Sequence, residues 1–307
     1  MPSGRQVASA PSLGRGAQGR AYYDSTVQRV LLFGATGQLG ASIIDASVGR
    51  DIELIRAPRS VDISDGRLVS SYVREVAPDW IVNCAAMTDV DGAHLAPEKA
   101  MAVNGLGPAN LARSSDDIGA RLVQVSTEAV FDGELTVPYV EGDACRPVSV
   151  YGVSKLAGDL TVSVYSPDSY VIRTSWLYSG ATGMNFPTRL LAQLDDADRP
   201  ISVVTDLIGN PTPTPVLASA ILAVLAAPPE PGTYHVCCRE PASKYDWAVE
   251  IAERAGHDAA RITPVTMADY PSVARRPTHV DLDCSKFLST GLSPLPTWRE
   301  AWRDIAG

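Results

Sequence analysis

Tyr151 and Lys155 stand four residues apart in Tyr151-Gly-Val-Ser-Lys155, a spacing that on a helix puts both side chains on one face. An ammonium beside a phenol favours the phenolate, so this pairing predicts that Lys155 draws the Tyr151 pKa down from its ordinary value of about 10. Tyr151 then serves as a general acid near neutral pH. A second group of interest, Ser126-Thr127-Glu128, closes the apolar run Arg121-Leu-Val-Gln-Val-Ser126. A hydroxyl there is placed to hydrogen-bond a substrate carbonyl, although strand-end Ser and Thr also cap helices.

A proton donor of this kind needs a bound reactant, and Gly34-Ala-Thr-Gly37-Gln38-Leu39-Gly40 supplies a means of holding one. The loop follows an apolar run and opens a helix-like stretch, the context in which spaced glycines bind a dinucleotide. The first glycine permits the tight turn, the second lets backbone approach a pyrophosphate, and the third lets helix and strand pack closely. The pyrophosphate then meets unpaired N–H groups at the helix N-terminus. Further on, Arg56-Ala-Pro-Arg59 puts basic residues where an acidic one would grip a ribose diol, which favours the 2′-phosphate of NADP over NAD. Asp62 and Ile63 follow closely enough to border an adenine, and Asn83-Cys-Ala85-Ala86-Met87 offers small side chains where a flat cofactor passes near backbone.

The elements that would position these groups are legible as a rhythm. Short apolar runs at Arg29-Val-Leu-Leu-Phe33, Asp51-Ile-Glu-Leu-Ile55, Trp80-Ile-Val-Asn83, Arg121 to Ser126 and Tyr170-Val-Ile-Arg-Thr174 read as strands. Between them Gln38 to Val48, Pro97 to Ser114 and Val153 to Val164 carry apolar residues at helical spacing. The fold class expected is therefore α/β, a doubly wound parallel sheet of the Rossmann kind, with ligands at the carboxyl ends of its strands. Residues 27–175 are assigned to the dinucleotide-binding domain. Residues 176–307, punctuated by Gly and Pro, are assigned to a smaller interleaved substrate-binding domain with segments returning to the sheet. Residues 1–26, rich in Ser, Gly, Ala and Arg with no apolar central run, are expected to be a disordered tail and no secretory signal.

Composition narrows the function classes. The chain has 307 residues, 45% hydrophobic and 20% charged, which suits a globular protein with a sizeable core. Its formal charge of -9 argues against a general nucleic-acid binder. The five cysteines form no C-x-x-C pair and the four histidines are dispersed, so no metal site is expected. No apolar run is long enough to span a bilayer, and a cytoplasmic location without membrane partners is expected.

Taken in order, Gly34-x-x-Gly37-Gln-Leu-Gly40, Pro78-Asp-Trp-Ile-Val-Asn83, Thr88-Asp-Val-Asp91, Val103-Asn104, Ser126-Thr127, Val130-Phe-Asp-Gly133, Tyr151-Gly-Val-Ser-Lys-Leu-Ala-Gly158, Arg173-Thr-Ser-Trp176 and Gly209-Asn-Pro-Thr212 resemble a known family. It is that of the extended short-chain dehydrogenase/reductases of the dTDP-4-dehydrorhamnose reductase type, and the resemblance runs over nearly everything but the tail. It implies reduction of the 4-keto group of a dTDP-4-dehydro-6-deoxy sugar, foremost dTDP-4-dehydro-L-rhamnose to dTDP-L-rhamnose. The cofactor implied is NADPH, with NADH as the alternative, and the partner is a nucleotide sugar, a homodimer being compatible. By resemblance Thr127, Tyr151 and Lys155 are catalytic, Val125 lines the cofactor, and Glu128 and Trp176 join Thr127 in contacting substrate. The chain departs from the family pattern at Glu128, where Asp is usual, and at Met87, Ala129, Leu207 and Val280. Two relatives in function stand beside this reading: a reductase of another nucleotide 4-ketosugar, and a non-catalytic NADP-binding regulatory subunit of methionine adenosyltransferase. A 4,6-dehydratase would want a further acid/base pair after Thr127, which Ala129 does not provide.

Overall fold

The computed structural model describes residues 27–306 apart from 181–182, 184 and 197–199; the tail expected over residues 1–26 lies outside the described residues. Five strands form where the apolar runs predict them: β1 (Gln28–Phe33), β2 (Ile52–Arg56), β3 (Trp80–Asn83), β4 (Arg121–Thr127) and β5 (Tyr170–Thr174). A sixth, β6 (Gly232–His235), is contributed by the C-terminal half and pairs with β5. All pairings are parallel, in the order β6-β5-β4-β3-β1-β2.

Alternation along each strand explains why helices cover both faces. Val30 and Leu32 of β1, Val82 of β3, Val123 of β4 and Ile172 of β5 point to one side. They join Leu39 and Ile43 of helix α1 (Gln38–Ser47), together with residues such as Leu217 and Ile221 from the C-terminal half. Leu31 and Phe33, Ile81, Leu122 and Val171 point to the other side. There they meet Val69 and Val73 of α2 (Gly66–Val76), Leu111 of α3 (Gly107–Ile118) and Val162 of α4 (Val150–Tyr165). Helix α2 escaped the sequence reading, although Asp65 caps it by accepting from the N–H groups of Arg67 and Leu68.

The single helix expected over Pro97 to Ser114 is instead a short helix (Pro97–Ala100), a π-helical turn (Met101–Leu106) and then α3. The buried Asn104 lies in that turn. Its side chain accepts from the Met87 N–H and donates to the Met87 carbonyl and the Ser154 hydroxyl. A π-turn of this kind often marks a functional region, and this one ties the segment after β3 to α4.

A second apolar cluster gathers Tyr178, Leu190, Leu194, Ile201, Trp247, Ile251, Trp298 and Trp302 from α5 (Phe186–Asp195), α7 (Lys244–Arg254) and their neighbours. The helix between them, α6 (Thr214–Ala226), packs back on the sheet side instead. Among the described residues no helix is long and apolar enough to cross a membrane.

Among the described residues one ion pair is buried: Arg173 Nε of β5 lies 3.2 Å from Asp159 Oδ2 of α4, with side-chain exposures of 7% and 4%. Replacing one partner strands the other charge in a poorly solvating interior. Arg173→Met is expected to lower the unfolding free energy by about 3–5 kcal/mol, read as a shifted midpoint in urea denaturation; an unchanged midpoint would show that the pair carries no such strain.

Candidate active site

The loop after β1 and the turn after β3 meet at the point where the strand order reverses, since β2 lies on one side of β1 and β3 on the other. Gly34 has φ 77° and sits so close to the next turn that a Cβ there would lie 2.5 Å from the Ala85 nitrogen. A Cβ on Gly40 would lie 2.3 Å from the Gly34 carbonyl oxygen. Both positions therefore require glycine, and α1 is drawn tightly against β1. No side chain caps the start of α1 at Gly37, which leaves its first N–H groups to an outside acceptor. On the β3 side, Asn83 Nδ2 donates to Gln124 Oε1 at 2.7 Å, and the Ala85 N–H donates to Asn83 Oδ1. That buried pair fixes the turn carrying Ala85 and Ala86.

A cleft of about 590 Å³ opens there. Gly34, Gly37, Arg56, Asp62, Ile63, Ala85 and Ala86 all line it, so four separate stretches of the sequence converge on one cavity. Arg59 lines it too and donates to the Thr36 hydroxyl through Nε and Nη2. Other residues assigned to the cofactor stand around this wall rather than in it. Leu39 and Gly40 are buried in α1, Gln38 accepts from Asn185 Nδ2 at 3.4 Å, and Met87 is held by Asn104.

Thr127 ends β4, and Tyr151 and Lys155 lie in the first turns of α4, whose start is capped by Ser149. Lys155 is buried and its Nζ donates to the Val125 carbonyl at 2.7 Å. Burial pulls the Lys155 pKa down, opposed by Asp159 one turn further along the same face. The Thr127 hydroxyl donates to Glu128 Oε2 at 2.8 Å while accepting from the Ala129 N–H. The Tyr151 phenol has Thr127 within hydrogen-bonding reach. So the structure brings Thr127, Glu128, Tyr151 and Lys155 together at one strand end.

The expected charge effect is reversed. The Tyr151 pKa is raised, not lowered, first by burial and then by the facing Glu128 carboxylate. The Lys155 ammonium is engaged by the Val125 carbonyl, with Asp159 favouring its charged form. Glu128 is itself pushed up by burial, against the pull of Thr127 and Lys244. Cys84, on the cleft wall near Lys155, is pushed up to about 12 by burial and stays a neutral thiol.

Trp176 is half-buried and adopts φ 42°, a left-handed backbone conformation rare outside glycine. Its indole lies against Gly209, where a Cβ would come within 2.7 Å of the ring. Lys244, which no motif in the sequence singled out, sits over that indole, its Nζ 3.5 Å from the ring centroid. Phe186 and Trp247 complete an aromatic surround at 4.8 and 4.7 Å. Burial pulls the Lys244 pKa down to about 7, although Glu128 faces it. Arg276, on the loop near the C-terminus, is engaged by Asp91, with Nη2 3.0 Å from Oδ2.

The model of the RmlD substrate binding domain matches residues 28–306 of the chain. A dTDP-4-dehydrorhamnose reductase of Mycolicibacterium smegmatis is 37% identical over 287 residues, covering 93% of this chain and 87% of that protein. The crystal structure of a dTDP-4-dehydrorhamnose reductase from Clostridium acetobutylicum superposes with a TM-score of 0.86 at 35% identity, covering 90% of this chain and 98% of that one. A Bacillus anthracis dTDP-4-dehydrorhamnose reductase, solved in complex with NADP, gives a TM-score of 0.86 at 30% identity, covering 91% and 98%.

The raised Tyr151 pKa has a direct spectroscopic consequence. In a difference titration of the native protein against Tyr151→Phe, the tyrosinate absorbance assigned to residue 151 is expected to appear only above the ordinary phenol midpoint of about 10. A midpoint below that value would restore the effect of Lys155 anticipated from spacing alone.

Proposed function

Because this chain belongs to the dTDP-4-dehydrorhamnose reductase family, with residues 28–306 matched, we propose that it reduces the 4-keto group of a dTDP-4-dehydro-6-deoxy sugar with NADPH. The substrate we assign is dTDP-4-dehydro-L-rhamnose and the product dTDP-L-rhamnose. The observation that carries this reading is the convergence of Thr127, Tyr151 and Lys155 on the strand end beside a cleft built for a dinucleotide.

The residues present fit that cofactor. The uncapped start of α1 offers N–H donors to a pyrophosphate, Arg56 and Arg59 offer two guanidinium groups to a 2′-phosphate, and Asp62 and Ile63 border the same cavity. Lys155, whose ammonium donates one of its hydrogens to the Val125 carbonyl, is the residue we assign to the nicotinamide ribose. When bound, the reduced nicotinamide supplies the hydride.

The chain's own residues handle the proton. A tyrosine whose pKa is raised is fully protonated at neutral pH, which suits a donor to the ketone oxygen. Thr127 has a single hydroxyl proton; to hold the ketone oxygen it turns that proton away from Glu128. Glu128, which accepts from Thr127, and Trp176, whose ring lies under Lys244, are the residues we assign to substrate contact. Intact Tyr151 and Lys155 favour turnover over a purely regulatory NADP-binding role.

Purified protein given dTDP-4-dehydro-L-rhamnose is expected to consume NADPH faster than NADH; a flat absorbance trace with both cofactors would overturn the assignment. Tyr151→Phe is expected to cut kcat by roughly 10²- to 10⁴-fold while leaving NADPH affinity unchanged. Replacing Arg56 and Arg59 together with Ala should raise the KM for NADPH by at least about tenfold and leave that for NADH in place. Equal losses for the two cofactors would argue that these arginines do not read the 2′-phosphate.

A further inference from the structure

We propose that Lys244 is a further substrate-binding and specificity-determining residue, whose ammonium donates to a hydroxyl of the sugar ring beside the reacting ketone; this rests on the reductase reading above. An ammonium has three donors, yet among the described residues Lys244 Nζ makes no hydrogen bond and no ion pair, its neighbours being the rings of Trp176, Phe186 and Trp247. Such rings hold a cation by its charge and leave its N–H groups in need of an acceptor.

The surroundings select the acceptor. Glu128, from the turn after β4, faces Lys244 without closing to an ion pair, and its Oε2 already accepts from Thr127. The other charged groups facing Lys244 are Arg189 of α5 and Arg276 of the loop near the C-terminus. A phosphate here would meet the Glu128 carboxylate. A hydroxyl both accepts and donates, so one sugar hydroxyl can accept a hydrogen bond from the Lys244 ammonium and donate one to the Glu128 carboxylate. In doing so it satisfies the carboxylate when Thr127 turns its proton to the ketone. Aromatic faces next to that pair suit the C–H side of a sugar ring.

Position adds support. Lys244 opens α7, and its backbone N–H is fixed on the Leu207 carbonyl; the strained Trp176 is pinned between this amine and Gly209. Backbone strain kept at such a place is a recurrent mark of a binding site. With its pKa pulled down to about 7 by burial, Lys244 loses its charge as the pH rises through neutrality.

The test uses calorimetric binding of dTDP-L-rhamnose and of dTDP alone to the whole protein, to Lys244→Met and to Lys244→Arg, below and above pH 7, with melting curves to confirm folding. The expected result is about tenfold weaker binding of dTDP-L-rhamnose by Lys244→Met below pH 7, with dTDP binding unchanged. Native affinity for the sugar nucleotide should fall as pH rises through Lys244 deprotonation, and Lys244→Arg should bind well on both sides of pH 7. Equal weakening for dTDP and dTDP-L-rhamnose, or a Lys244→Met protein matching the native one, would overturn the inference alone. A native protein that neither binds dTDP-L-rhamnose nor reduces the ketosugar removes the functional reading and this inference together.

Discussion

The bond from Lys155 Nζ to the Val125 carbonyl, 2.7 Å long and buried, fixes helix α4 against the carboxyl end of β4. The rest of the site inherits its geometry from that clamp. Asp159 follows Lys155 by four residues and pairs with Arg173 of β5, so α4 is fastened to two adjacent strands through one face. Tyr151, four residues earlier on that face, is thereby brought to Thr127. Asn104 fastens the same helix to the segment following β3. A helix held at three places has little freedom to tilt, which is what a proton donor acting over hydrogen-bond distances needs.

Crowding at this strand end drives the groups toward their neutral forms. Burial raises Tyr151 and Glu128 and lowers Lys155 and Lys244, the direction low polarisability always imposes. An acid that stays protonated is compatible with reduction, where the phenol must give a proton to a ketone. It would be poorly suited to the reverse task of abstracting one at neutral pH.

Much of this was legible in the chain. The alternation of Val30, Leu31, Leu32 and Phe33 between two apolar clusters is a period-two pattern with both faces covered, so the strand could be read directly. The glycines at 34 and 40 are demanded by close backbone approach, and their spacing announced it. Other features were illegible because they depend on distant partners. The π-turn at Met101–Leu106 accompanies the hydrogen bonds Asn104 makes to Met87 and Ser154, contacts no local periodicity reveals. Tyr151 and Lys155 have the spacing for a charge pair, but the competing acceptor on Val125 and the carboxyl of Glu128 come from another strand end. Lys244 belongs to no motif. Its importance arises from aromatic residues 68, 58 and 3 positions away in sequence, Trp176, Phe186 and Trp247.

Helix α6 and strand β6 have an implication for how the chain is made. The sheet's edge beside β5 is occupied only by residues 232–235, and the face of β1 near α1 is covered by Leu217, Ile221 and their neighbours. During vectorial synthesis the first half therefore leaves the ribosome with an unpaired strand edge and a bare apolar face. Such surfaces are adhesive, and they stay so until some sixty further residues have emerged. The nascent polypeptide thus passes through a stage in which a holding chaperone has something to grip, and the halves become native as one cooperative unit.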